Sequence, residues 1–370
     1  MSFAGNAAEG ASRGSFSPSV TSEPFGVTRR GEAVRRHTLI GGGMTLRCLD
    51  YGGAVQALEV EDRQGRQENV VLGYDTLEEY EKDPVWCGVL CGPVAGRVAG
   101  ASFELGERRY VMEANDGTAC LHGGSRGFSR RVWHGEPFVE GDTVGVRFSL
   151  ALSPEEDPFP GPRFLRATYT LSPGGVFSLL WEATSPEPMV LAPTFHGYFN
   201  LGGPRCPSVE GHRLRIDAER YMPLDEAHLP QMPESVEGTP FDFRTPCLLG
   251  DFFRQEHLQI LRGGGSDHAF VFRASQGPQG VLEHPESGRR MELFSHEPCA
   301  VFYSGGGLAS AARFSEKRRG APHLALALEP QWYPNALGLP ELPPPVHPSG
   351  TSWKSRSTWR FSVMPLEPES

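Results

Sequence analysis

Two acid–base side chains stand where this chain is otherwise apolar. In "LALALEPQWYPNA" (Leu324–Ala336), alternating Leu and Ala lead into Glu329, followed by Pro, Trp and Tyr. A carboxylate at the end of an apolar strand is costly to bury unless something uses it. In "PTFHGYFNLGG" (Pro193–Gly203), His196 sits inside an aromatic, β-forming run. An ordinary glutamate is ionised at neutral pH, and an ordinary histidine titrates near 6.5. Together they are suited to taking one proton and giving another.

Three more stretches set a polar side chain among special backbone residues. "CGPVAGRVAGASF" (Cys91–Phe103) places Arg97 among small residues, where a rigid fork of donors can reach hydroxyls or a carboxylate. "LHGGSRGF" (Leu121–Phe128) places His122 at a strand end before two glycines, and "GGGSDHAF" (Gly263–Phe270) places Asp267 after a glycine run. Taken singly, each has an ordinary explanation: a solvated arginine, a hydrogen-bonded core histidine, a turn-capping aspartate. Taken together, with Tyr198, Phe199, Trp332 and Tyr333 near in sequence, they suit a small polyol. Aromatic faces cover the C–H patches of a sugar ring while charged groups bind its hydroxyls. No HExxH, CxxC pair or P-loop occurs in the chain.

The elements that must position these residues read as strands. Period-two alternation marks Met44–Gly53 and Ala54–Asp75, the latter turning at "DRQGRQ". Ala101–Met112 reads as a hairpin turning at Leu105-Gly106, and Thr143–Ser153 and Arg163–Ser185 as successive antiparallel strands. "RLRIDAERYMPLD", "MELFSHEPCAVFYSGG" and "STWRFSVM" continue the pattern. Helical spacing is confined to Asp75–Pro84 and Leu249–Glu256. Many short strands with Gly/Pro turns indicate an all-β sandwich or barrel. The Pro-rich "LPELPPPVHPSG" reads as a rigid surface loop.

Among 370 residues the net charge is −10, and Lys and Arg form no stripe, which argues against nucleic acid or an anionic membrane as partner. No apolar stretch is long enough for a membrane span, and the first residues lack the pattern of a secretory signal. Residues 1–24, biased to Gly, Ser and Ala, read as a disordered tail, and 25–370 as a single domain. Seven scattered cysteines fit reduced thiols and a cytoplasmic location.

From about Gly31 onward the chain resembles the aldose 1-epimerases, the galactose mutarotases. "GRVAGASFEL", "ANDGTACLHGGSRGF", "PTFHGYFNLGG", "DAERYMPLDEAHLP", "GTPFDFR", "GSDHAF" and "LALEPQWYPNA" match that family's blocks in order. The resemblance implies a large antiparallel β-sandwich, a galactose mutarotase-like supersandwich with few short helices. It implies Glu329 as general base and His196 as general acid in interconverting the α and β anomers of free aldohexoses such as galactose or glucose. Arg97, His122 and Asp267 fall on hydroxyl-binding positions, and Tyr198 lies beside the cleft. Such proton transfer needs no metal and no other cofactor. The only implied partner is the aldose, and the protein is expected to be a monomer or homodimer.

Three positions depart from the family pattern: Gly96 for a common Asn, Val301 for a common Gln, and Phe195 where a polar residue is frequent. Two hydrogen-bonding groups to substrate are therefore expected to be missing. Two other readings stay open. A non-catalytic sugar sensor on the same fold needs no matched acid and base. A glycosidase would use Asp267 and Glu329 as flanking carboxylates.

Overall fold

The computed structural model describes residues 17–311 and 313–365. Three antiparallel sheets carry most of the strand residues among those described. The first is a five-stranded meander in chain order: Ser19–Val27, Ala33–Gly41, Met44–Leu49, Val55–Glu61 and Gln67–Asn69. The second has nine strands. Its first four, His134–Glu140, Thr143–Leu152, Arg163–Ser172 and Val176–Thr184, follow the chain, and Ser352–Val363 then adds beside the fourth. Arg289–Ser295, Gly280–His284, Arg213–Ile216 and Cys247–Leu248 complete it. The third has six strands, ordered Tyr198–Phe199, Leu326–Gln331, Cys299–Tyr303, Asp267–Phe272, Ala218–Met222 and Glu234–Ser235.

Side-chain alternation gives the six-stranded sheet two characters. Phe270, Phe302, Leu326 and Leu328 turn to one face and join the main core with Leu282, Met291, Leu293, Trp359 and Phe361 of the nine-stranded sheet. Glu329, Val301, Tyr303, Asp267 and Ala269 therefore fall on the other face. Register sharpens this placement: Val301 lies opposite Glu329 and Ala269 opposite Val301.

The hairpin at Ser102–Leu105 and Arg108–Val111 and the paired runs within residues 54–75 form as expected. The helix read at Asp75–Pro84 spans Leu77–Lys82, started by a Thr76–Glu79 capping box. The one at Leu249–Glu256 spans Leu249–Phe253, and a third short helix, Leu258–Arg262, was not foreseen. The fold is the expected all-β one with few short helices.

The expected tail is corrected. Residues 1–16 lie outside the described residues, but Ser19–Val27 is a strand paired with Ala33–Gly41. Its Ser, Thr and Glu are compatible with a sheet edge because one side faces solvent. Val20 packs against the core and Ser22 Oγ meets His37 Nδ1 at 2.7 Å. Among the described residues no helix is long and apolar enough to cross a membrane.

Candidate active site

His196 is held by backbone on both sides. Its N–H donates to Val89 O at 2.9 Å, and its carbonyl accepts from Gly88 N–H at 3.0 Å. On either side of it, Thr194–Phe195 pairs with Leu90–Cys91 and Tyr198–Phe199 with Leu326–Ala327. The bend between requires Gly197, where a Cβ would lie 2.4 Å from the Phe195 ring. The imidazole is thereby fixed at the seam between the six-stranded sheet and a short ladder.

Glu329 reaches the same place from the middle of Leu326–Gln331. Pro330 cannot donate to a ladder, and its carbonyl is taken by Thr194 Oγ1 at 2.9 Å, which ties this strand to the His196 segment. His196 Nε2 then stands 3.5 Å from Glu329 Oε1. Glu329 is 2% and His196 5% exposed. Burial, reinforced by the charge of Asp267, pushes the Glu329 carboxyl well above the usual carboxylate range. Burial also pulls His196 down to about 4. Its Nδ1 has no hydrogen-bond partner.

Both groups line a cavity of about 180 Å³ together with Arg97, His122, Tyr198 and Asp267. The six residues singled out in the sequence are thus brought together, from segments far apart in the chain. Arg97 donates to Asp116 at 2.6 Å and to Asp267 at 3.3 Å. Burial works against its charge, and the two carboxylates outweigh that cost, leaving its pKa above the ordinary value. His122 Nδ1 accepts from Gly96 N–H at 3.2 Å. That bond places any proton of the neutral ring on Nε2. Burial first, then His196 and Arg97, hold the His122 pKa well below normal, so it is a neutral donor.

Tyr198 contributes its ring, 4.8 Å from that of His196, but its hydroxyl is committed to Val85 O at 2.9 Å. Asp267, rather than capping a turn, opens a strand and holds Arg97. Of the three departures, Gly96 and Val301 line the cavity, whereas Phe195 packs against Tyr169, Phe177 and Trp359 in the core. Its side chain is directed away from the site by strand alternation, so position 195 removes no contact to a ligand.

Several lining residues escaped the sequence reading. Trp86, whose ring centroid lies 5.0 Å from that of His122, adopts a left-handed φ of 54° that no glycine signals. Tyr303 lies near His196, its hydroxyl accepting from Gly307 N–H at 2.7 Å. Gln331 follows Glu329 on the same face of its strand. The "FY" and "EPQ" blocks contained the last two, and only cross-strand register shows where they face. Among the described residues no three His, Cys, Asp or Glu side chains converge as a metal site.

A family model described as "Aldose 1-epimerase" matches residues 35–360. The galactose mutarotase of Bos taurus is 33% identical over 349 residues, covering 93% of this chain and 99% of that protein. The aldose 1-epimerase of Escherichia coli strain K12 is 29% identical, covering 86% and 92%. A crystal structure of galactose 1-epimerase from Lactobacillus acidophilus superposes with a TM-score of 0.82 at 26% identity, covering 94% of this chain and all of that one. The chain belongs to the aldose 1-epimerase family, a family of isomerases.

Proposed function

We propose that this protein interconverts the α and β anomers of free aldohexoses, galactose and glucose foremost, with Glu329 as general base and His196 as general acid. The observation that supports this most is the 3.5 Å approach of His196 Nε2 to Glu329 Oε1 in a buried cavity. Ring opening moves two protons between oxygens borne by one carbon. Glu329 takes the proton of the C1 hydroxyl while His196 gives one to the ring oxygen O5. The C1–O5 bond breaks and C1 becomes the carbonyl of the open aldehyde. After rotation about C1–C2, closure returns both protons on the other face.

The pair needs one shared proton for this cycle. It begins as carboxylate and imidazolium and ends, at the aldehyde, as carboxylic acid and neutral imidazole. Burial favours the neutral end, and attraction across 3.5 Å favours the charged end. The two effects oppose one another, which suits a reaction that must run both ways. Each positioned transfer is worth roughly 10²–10⁴ in rate.

In this reading His122, with its Nε2 proton, and the Arg97–Asp267 pair hold ring hydroxyls, and the Tyr198 ring braces His196. Because the cavity takes residues from Pro84 to Pro334 and Ser19–Val27 is a strand of the first sheet, the chain from Ser19 onward is proposed to work as one unit. Seven unpaired cysteines, five of them buried, fit a cytoplasmic setting.

Polarimetry of freshly dissolved α-D-galactose and α-D-glucose tests the reading. Wild type should speed the approach to equilibrium rotation, and Glu329→Gln should remove at least 99% of that rate. Sugar binding without acceleration by wild type would favour the sensor reading.

A further inference from the structure

One buried polar group in the cavity wall has no role in the proton transfers. Gln331 is 1% exposed, and its Oε1 accepts no hydrogen bond. Its Nε2 makes only a long 3.4 Å bond to the carbonyl of Trp332, its own neighbour in sequence. Turning the carboxamide over would set oxygen against the Trp332 carbonyl and lose that bond too, so the unpartnered end is an acceptor. Leaving such an acceptor buried and unpaired costs about 1–3 kcal/mol.

The backbone holds this side chain in place. Gln331 is two residues beyond Glu329 on one strand, so both face the same way, roughly 7 Å apart along it. Cys299, opposite in register, gives its Sγ hydrogen to Gln331 O at 3.2 Å. Gly96, at φ +72°, lines the same cavity beside the amide: a Cβ there would sit 3.6 Å from Gln331 Nε2. The remaining floor beside Glu329 is apolar, formed by Val301 and Ala269. An unpaired acceptor next to an apolar floor, one strand step from the base, is placed to read a single sugar hydroxyl away from C1.

We propose that Gln331 is a substrate-binding residue whose Oε1 accepts a hydrogen bond from one ring or exocyclic hydroxyl of the aldose. The inference rests on the mutarotase reading and adds a specificity determinant to it. A buried acceptor rejects an analogue that lacks its donor, because the acceptor is again left unpaired.

The test is a cycle between protein and sugar. Mutarotation of galactose and glucose, and of their 2-, 3-, 4- and 6-deoxy forms, is measured with wild type, Gln331→Met and Gln331→Glu. Met keeps the length without the acceptor, and Glu keeps an acceptor. Wild type is expected to discriminate roughly tenfold in KM against one deoxy sugar. Gln331→Met should raise KM for the parent sugar by that factor, keep kcat within threefold, and leave KM for that one deoxy sugar unchanged. Gln331→Glu should retain the discrimination. Equal weakening toward every sugar, or an unchanged parent KM in Gln331→Met, overturns the assignment. A wild type that accelerates no sugar strikes at the mutarotase reading. Binding followed by fluorescence of Trp86, in the same cavity, then applies the same cycle to Gln331 alone.

Discussion

His196 Nε2 and Glu329 Oε1 face each other at 3.5 Å with neither side chain open to bulk water. Two groups so close and so dry titrate as a couple. A couple that needs one proton for its cycle gives a bell-shaped dependence of kcat/KM on pH. The acid limb is expected near pH 4, where His196 and Glu329 both become protonated. The alkaline limb is expected well above the usual carboxylate range, where Glu329 loses the shared proton. Val301→Gln puts an amide donor opposite Glu329 and stabilises its charged form, so the alkaline limb should move to lower pH. Stopped-flow polarimetry across pH 3.5–10 checks both positions.

Glu329 should also lower stability at neutral pH. In the unfolded chain its carboxyl ionises above about pH 4.3. In the folded protein its pKa is raised, so the folded state holds a proton that the unfolded state releases. Stability therefore falls as pH rises from the unfolded value toward the folded one. Glu329→Gln lacks this effect. Its Tm is expected to exceed that of wild type by a few degrees at pH 8 and to match it at pH 4. A Tm below wild type at pH 8 would contradict the assignment.

The buried histidines carry the opposite sign. His196 is held at about 4 and His268 at about 3, both by burial, and His122 and His212 are held well below normal. Between about pH 6.5 and these values the unfolded chain takes up protons that the folded chain refuses. Stability is therefore lost as pH falls through this window, by on the order of 3 kcal/mol for His196 alone. Urea midpoints at pH 7.5 and pH 5 should show a clear drop at pH 5.

Arg97 spans Asp116 and Asp267 with different nitrogens of one planar group. Lysine is a single point donor and cannot hold both. Arg97→Lys is expected to raise KM roughly tenfold, since charge-assisted hydrogen bonds contribute about 1.5–3 kcal/mol each. Asp116→Asn, which leaves Asp267 in place, should give a smaller increase. Initial rates over a range of galactose concentrations separate the two.

Local chemistry made much of this site legible. Glu329 and His196 stand out because a charge or an imidazole in an apolar run is out of place, and Arg97, His122 and Asp267 because glycines surround them. What stayed hidden depends on distant pairing. Nothing near Val301 in sequence tells that Glu329 lies opposite, and nothing near Arg97 tells that Asp116 will grip it. Residues 19–24, within the expected tail, are ordered for a related reason: the strand Ser19–Val27 is held by a ladder with Ala33–Gly41 rather than by its own composition. Phe195 departs from the family pattern directly before His196, yet alternation sends it into the core.

The strand Ser352–Val363 lies between Val176–Thr184 and Arg289–Ser295, bonded to both. On the ribosome, those two neighbours emerge long before it and wait with bare edges. Any nascent chain stopped short of residue 352 exposes two rows of unpaired amides and carbonyls, which invite pairing with other chains. Nonsense mutations late in the coding sequence should therefore yield aggregation rather than a shortened enzyme, and productive folding should lag behind synthesis until this strand is released.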